Sequence, residues 1–186
     1  MRKFTTLLAL AAFPGIAAAQ DSTFNQGRLE LVGVAPNACV IRSASGSNGV
    51  NAVFEPTGTS SGRIRITELV DPSNATPRAA SMDLVVPVIC NGPHRVTLRS
   101  GNGGLRRDGA AAQGATFGSL LPYNMSILWG PNQSNVASNG GAPLVLSANE
   151  ARAGQLSLQI AIARGDQPLV AGRYSDQIVL EFQAAN

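Results

Sequence analysis

Beyond residue 26 the chain is a succession of short runs rich in Val, Ile and Leu, separated by clusters of Gly, Ser, Asn, Asp and Pro. Runs of that length bounded by turn formers predict strands, here over 28–34, 38–41, 50–54, 63–70, 82–90, 94–99, 122–129, 155–163 and 173–182. Two of them alternate plainly. Leu156, Leu158, Ile160 and Ile162 interleave with Ser157, Gln159 and Ala161, and Ile178, Leu180 and Phe182 share one side of the last run, so each predicts a strand with one buried face. The breakers at 43–49, 71–74, 101–104, 130–143 and 165–168 read as turns or loops. One segment departs from the rhythm: Ser147-Ala148-Asn149-Glu150 has the form of a helix capping box and predicts a single helical turn over 151–153 before Gly154. With no repeat of solenoid length and no Pro- or Ser-rich linker, the pattern predicts an all-β chain folded as one β-sandwich.

The first nineteen residues obey a different logic. A charged start, Met1-Arg2-Lys3, precedes an apolar run from Phe4 to Ile16 and the small residues Ala17-Ala18-Ala19, which predicts a secretory signal cleaved after Ala19. The apolar run is shorter than the roughly 20 residues a bilayer requires, and Pro14-Gly15 interrupts it, which argues against a membrane anchor. Removing 19 of 186 residues leaves 167, and losing Arg2 and Lys3 lowers the formal charge from +3 to +1. The basic character of the whole chain therefore does not point to nucleic acid or to an anionic membrane. In an exported chain the two cysteines, Cys39 and Cys90, are expected to form a disulfide that stabilises the fold by about 4 kcal/mol.

Catalytic chemistry is poorly provided for. With one histidine, His94, and both cysteines expected to be oxidised, no metal site is predicted, and no cofactor motif is present. His94, beside Pro93, reads as a surface histidine at a turn. Gly58-Thr59-Ser60-Ser61-Gly62 matches the nucleophile-elbow pattern, with Asp83 and His94 following in hydrolase order. That motif requires strand, turn and helix, whereas the pattern after Ser60 continues as a strand, so no catalytic residue is assigned. Arg164-Gly165-Asp166 resembles an integrin-binding tripeptide, but three residues are a weak signal and the segment reads as a tight turn between two strands. Asp71, Asp83, Asp108 and Glu150 are too scattered to nominate an acid/base pair, and Arg95, Arg99, Arg106 and Arg107 lack the interleaved aromatics of a strand-binding platform.

Three segments together resemble the spore coat protein U family and the archaic chaperone-usher pilins that share its domain. They are Gly27-Arg28-Leu29-Glu30-Leu31-Val32-Gly33-Val34 leading into Ala38-Cys39-Val40-Ile41, then Val86-Pro87-Val88-Ile89-Cys90-Asn91-Gly92, and the terminal stretch from Ala171 to Phe182. The Gly-x-Tyr-Ser-Asp element at Gly172 to Asp176 is the most specific part. Residues 103–107 and 123–129 also fit, while 56–80 is longer than the pattern and a tail follows Phe182.

The resemblance implies an immunoglobulin-like sandwich that lacks one strand and is completed by the N-terminal segment of a neighbouring subunit. It divides the chain into a signal at 1–19, a donor-strand segment at 20–36 and a pilin domain at 37–186. Leu29 and Leu31 are the implied anchors. Val32 and Val34 fall on the opposite side of an ideal strand, so either that face is also buried or Gly33 makes a bulge. Three or four such anchors contribute roughly 5 to 12 kcal/mol before ordering costs. The implied partners are identical or related pilus subunits, a periplasmic chaperone contacting the strand of Ile178, Leu180 and Phe182, and an outer-membrane usher. The implied setting is a cell-surface pilus reached through the periplasm, with a role in attachment and biofilm formation. A second expectation, from a different class, is a self-contained secreted β-sandwich or coat protein that recognises a glycan or protein.

Overall fold

The computed structural model describes residues 30–109 and 116–185. The chain divides into two units, Met1–Val34 and Ala35–Asn186. In the first, Leu29 and the signal segment lie outside the described residues, and 30–34 form no strand. Leu31, Val32 and Val34 are exposed there, Leu31 at 97%. The strand expected over 28–34 is thus not formed in its described part, because an extended segment needs a neighbour to satisfy its backbone.

Fourteen strands form among the described residues of the second unit: β1 (Cys39–Ile41), β2 (Ser45–Val50), β3 (Ala52–Gly58), β4 (Ser61–Ile66), β5 (Ala80–Cys90), β6 (His94–Ser100), β7 (Leu105–Arg107), β8 (Leu120–Leu121), β9 (Asn124–Trp129), β10 (Asn132–Ala137), β11 (Leu144–Ala148), β12 (Arg152–Ile162), β13 (Tyr174–Ser175) and β14 (Ile178–Ala184). The larger sheet runs β1-β5-β12-β9-β10, with β2 also paired to β5; the facing sheet runs β11-β6-β14. A hairpin of β3 and β4 and a small sheet of β13, β7 and β8 complete the fold.

Alternation explains the layering. In β5, Ala80, Met82, Leu84, Val86, Val88 and Cys90 are buried while the residues between them are not, and β12 pairs with it along its whole length, from Arg152 opposite Cys90 to Ile162 opposite Ala80. Leu156, Leu158, Ile160 and Ile162 of β12 and Met125, Ile127 and Trp129 of β9 extend the same buried face. Val96 and Leu98 of β6 close on it from the facing sheet, both with no exposed surface. Two packed sheets around one core make an all-β sandwich. The Cys39–Cys90 disulfide joins directly opposed residues of β1 and β5, so it ties neighbours within one sheet rather than bridging the two.

The structure corrects several sequence expectations. Polar β2 and β10 stand where loops were expected, because exposed edge strands carry no apolar alternation. No helical turn follows the capping box: Arg152 and Ala153 pair with Cys90 and Ile89, and the sheet claims their backbone. The runs at 50–54 and 63–70 are cut at Asn51 and Ile66. Asn51, at φ +54°, turns the chain, donates to the carbonyl of Glu68 and accepts from its amide. The last run is split at Asp176, whose side chain binds backbone amides.

Candidate functional site: an open groove beside the last strand

β14 pairs with β6 along one edge, and no described strand pairs with the other. Leu180 and Phe182 lie opposite Leu98 and Val96. Those partners are fully buried, yet Ile178, Leu180 and Phe182 are only half-buried. The difference is a groove of about 640 Å³ that opens between the two sheets along this edge, within the roughly 300–1,000 Å³ of ligand-sized clefts.

Five aliphatic side chains floor the groove: Leu84 and Val86 from β5, and Leu158, Ile160 and Ile162 from β12. Ile178 and Leu180 form one wall, and Phe54, Ile64 and Ile66 of the β3–β4 hairpin line it as well. Gly62 lets the Phe54 ring approach, since a Cβ there would sit 2.3 Å from two ring atoms. Phe182 lies outside the groove and packs edge-on against Trp129, with ring centroids 6.1 Å apart. Of the three residues expected to form the contact strand, Ile178 and Leu180 therefore face the opening and Phe182 anchors the strand to the core.

Tyr123 and Asp176 also line the groove. Asp176 Oδ2 accepts from the Tyr123 hydroxyl at 2.7 Å, from Ser100 Oγ and from the Gly104 amide at 3.2 Å. Its Oδ1 accepts from the amides of Asn102 at 2.8 Å and Gln177 at 2.7 Å. Partial burial of the carboxyl opposes its ionisation, but these hydrogen bonds favour the charged form and hold it below the usual carboxylate range. Burial, reinforced by the bond to Asp176, pushes the Tyr123 phenol up. The Gly-x-Tyr-Ser-Asp motif thus ends in a hub linking the start of β14 to the β6–β7 turn and to β9. The other motif aromatic, Tyr174, is also raised by burial, and its hydroxyl donates toward the carbonyls of Val170 and Gly118.

His94 is buried, not on the surface as its turn-like sequence suggested. Its Nε2 accepts from the Trp129 indole at 2.8 Å, and Nδ1, 2.9 Å from the Gly92 carbonyl, is left as the donor. Donor atoms of His94, Cys39 and Cys90 lie within 4.8 Å of one another. The two sulfurs are bonded together and both ring nitrogens are engaged, so the trio packs without an open ligand position.

Ser60 lies exposed at the tip of the β3–β4 hairpin, a strand-turn-strand setting. Asp83 accepts from Gln159 at 2.9 Å and His94 is held by Trp129 and Gly92, so the three residues of the elbow pattern are not brought together by hydrogen bonds. Arg164 and Asp166 are exposed, with the Gly165 amide donating to Pro77. Asp71 accepts from Ser73 within its own turn, and Asp108 accepts from Ser175, so these carboxylates serve separate elements.

No family model, no curated protein and no solved structure matches the chain.

Proposed function

We propose that the chain is a structural subunit of a chaperone-usher surface pilus, polymerising when segment 27–34 of one copy adds as a strand in the groove of the next. The observation that carries this reading is the apolar groove beside the unpaired edge of β14. An open edge supplies main-chain donors and acceptors, and the groove supplies pockets for alternate side chains, which is what strand addition uses. The same chain carries a matching segment, for Leu31, Val32 and Val34 are exposed aliphatic side chains. A floor of five aliphatic residues suits such a strand better than a glycan, whose hydroxyls need polar partners.

In this reading the added strand completes an immunoglobulin-like sandwich. A periplasmic chaperone guards the groove through Ile178 and Leu180 before an outer-membrane usher exchanges it for the next subunit, since an unguarded edge beside an exposed core aggregates. Exported subunits joined this way serve attachment and biofilm formation at the cell surface. The test compares the full exported chain with one lacking 20–34 on unheated denaturing gels. The intact chain is expected to give ladders of heat-sensitive multimers and the truncated chain a monomer. Monomers in both, or ladders in both, would overturn the proposal.

A further inference from the structure

The β3–β4 hairpin pairs with neither packed sheet, so β4 keeps one edge unpaired among the described strands, as β14 does. The hairpin turns β4 to the groove. That strand lines it at Ser61, Gly62, Arg63, Ile64 and Ile66, whereas β3 does so only at Phe54. β3 lies on the far side, against β2: a Cβ at Gly46 would sit 2.9 Å from that of Phe54. Burial alternates along β4, with Ile64 and Ile66 half-buried and Arg63 and Arg65 exposed. Residues of both faces nonetheless border the groove, as they do when a strand presents its backbone edge rather than one face. Ile64 and Ile66 of β4 and Ile178 and Leu180 of β14 meet the same floor, from β5 and β12. Two open edges thus flank one groove.

We infer that the strand of the neighbouring copy is received between β14 and β4 and makes main-chain hydrogen bonds to both; this rests on the strand-addition reading above. The joined layer then runs β11-β6-β14, incoming strand, β4-β3. Segment 27–34 has eight residues, enough to span the seven of β14 and the six of β4. Pairing on two sides satisfies the backbone of the inserted strand, where a single edge would leave half of its amides and carbonyls to water. The two edges run in opposite directions. β14 begins where Asp176 meets Tyr123, next to the row of Asn124, Ala161 and Ser81. β4 ends there too, at Ile66 opposite Ala52, whose neighbour Asn51 donates to the carbonyl of Ala79. A strand between them is therefore antiparallel to one and parallel to the other, a mixed ladder in either orientation.

The test is hydrogen exchange, read residue by residue, in multimers of the full exported chain and in the monomer lacking 20–34. Alternate amides of β4 face β3, and the rest face outward. The outward amides of 61–66, together with the free-edge amides of 178–184, are expected to exchange on the order of 100-fold more slowly in the multimer. Those of β4 that face β3 should change little. Slowing confined to 178–184, or spread evenly over the whole of β4, would overturn the inference while leaving strand addition intact. Outward β4 amides already protected in the monomer would do the same. If the truncated chain does not fold, the full chain with Leu29→Asp and Leu31→Asp supplies the monomer, its fold reported by Trp129 fluorescence. Multimers in which neither edge gains protection, or a wild-type chain that makes none, would instead remove the reading on which it rests.

Discussion

Replacing Asp176 by Ala removes one side chain that five hydrogen bonds converge on, two from hydroxyls and three from backbone amides. Charge-assisted bonds are worth about 1.5 to 3 kcal/mol each when broken from one side. The sum is not expected, because the partners share one network, and the half-buried site admits water to some of them. The Tyr123 hydroxyl, on a side chain only 4% exposed, is the partner least able to find water. A loss of about 3 to 4 kcal/mol follows, or roughly 10 °C in Tm for a domain of this size. Asp176→Asn keeps one acceptor oxygen and should lose about half as much.

The measurement is urea unfolding followed by Trp129 fluorescence, with m unchanged if only stability is altered. The pH dependence is a second reading of the same network. Because the folded carboxyl is held below its ordinary value, its contribution is fully present above the unfolded pKa, about 3.9, and fades as pH falls through the folded value. Asp176→Asn should flatten that part of the acid limb. A loss below about 1 kcal/mol for Asp176→Ala, or an acid limb identical in Asp176→Asn, would refute the account of the hub.

Two further outcomes follow from the framework. Cys39→Ser, or reduction of the wild type, should lower stability by about 4 kcal/mol for a bridge closing 51 residues; an unchanged urea midpoint would show that the bridge constrains nothing in the unfolded chain. Gly104→Ala should cost about 2 kcal/mol or more, since φ is +139° and the new Cβ would sit 2.7 Å from the Leu121 carbonyl oxygen. Gly154→Ala, with no atom within 4 Å of its Cβ, serves as the control and should stay within about 0.5 kcal/mol.

What the amino-acid sequence determined by itself is the all-β class, the existence of β5 and β9 as strands, the faces of β12 and β14, and the pairing of Cys39 with Cys90. Each follows from a local signal: period-two burial, turn formers, and a count of two cysteines. Ile178 and Leu180 were legible as members of a one-faced strand for the same reason. Only tertiary structure decided that this face is left half-covered, because the exposure of Leu180 beside a fully buried Leu98 depends on which strands stop short, not on either residue. It also decided the fate of polar positions. Ser45–Val50 and Asn132–Ala137 became strands by pairing with apolar neighbours that already had a register. His94 became a buried acceptor because Trp129, 35 positions away, needed one, and Asp176, visible as the last letter of a motif, became a hub because four distant groups point at it.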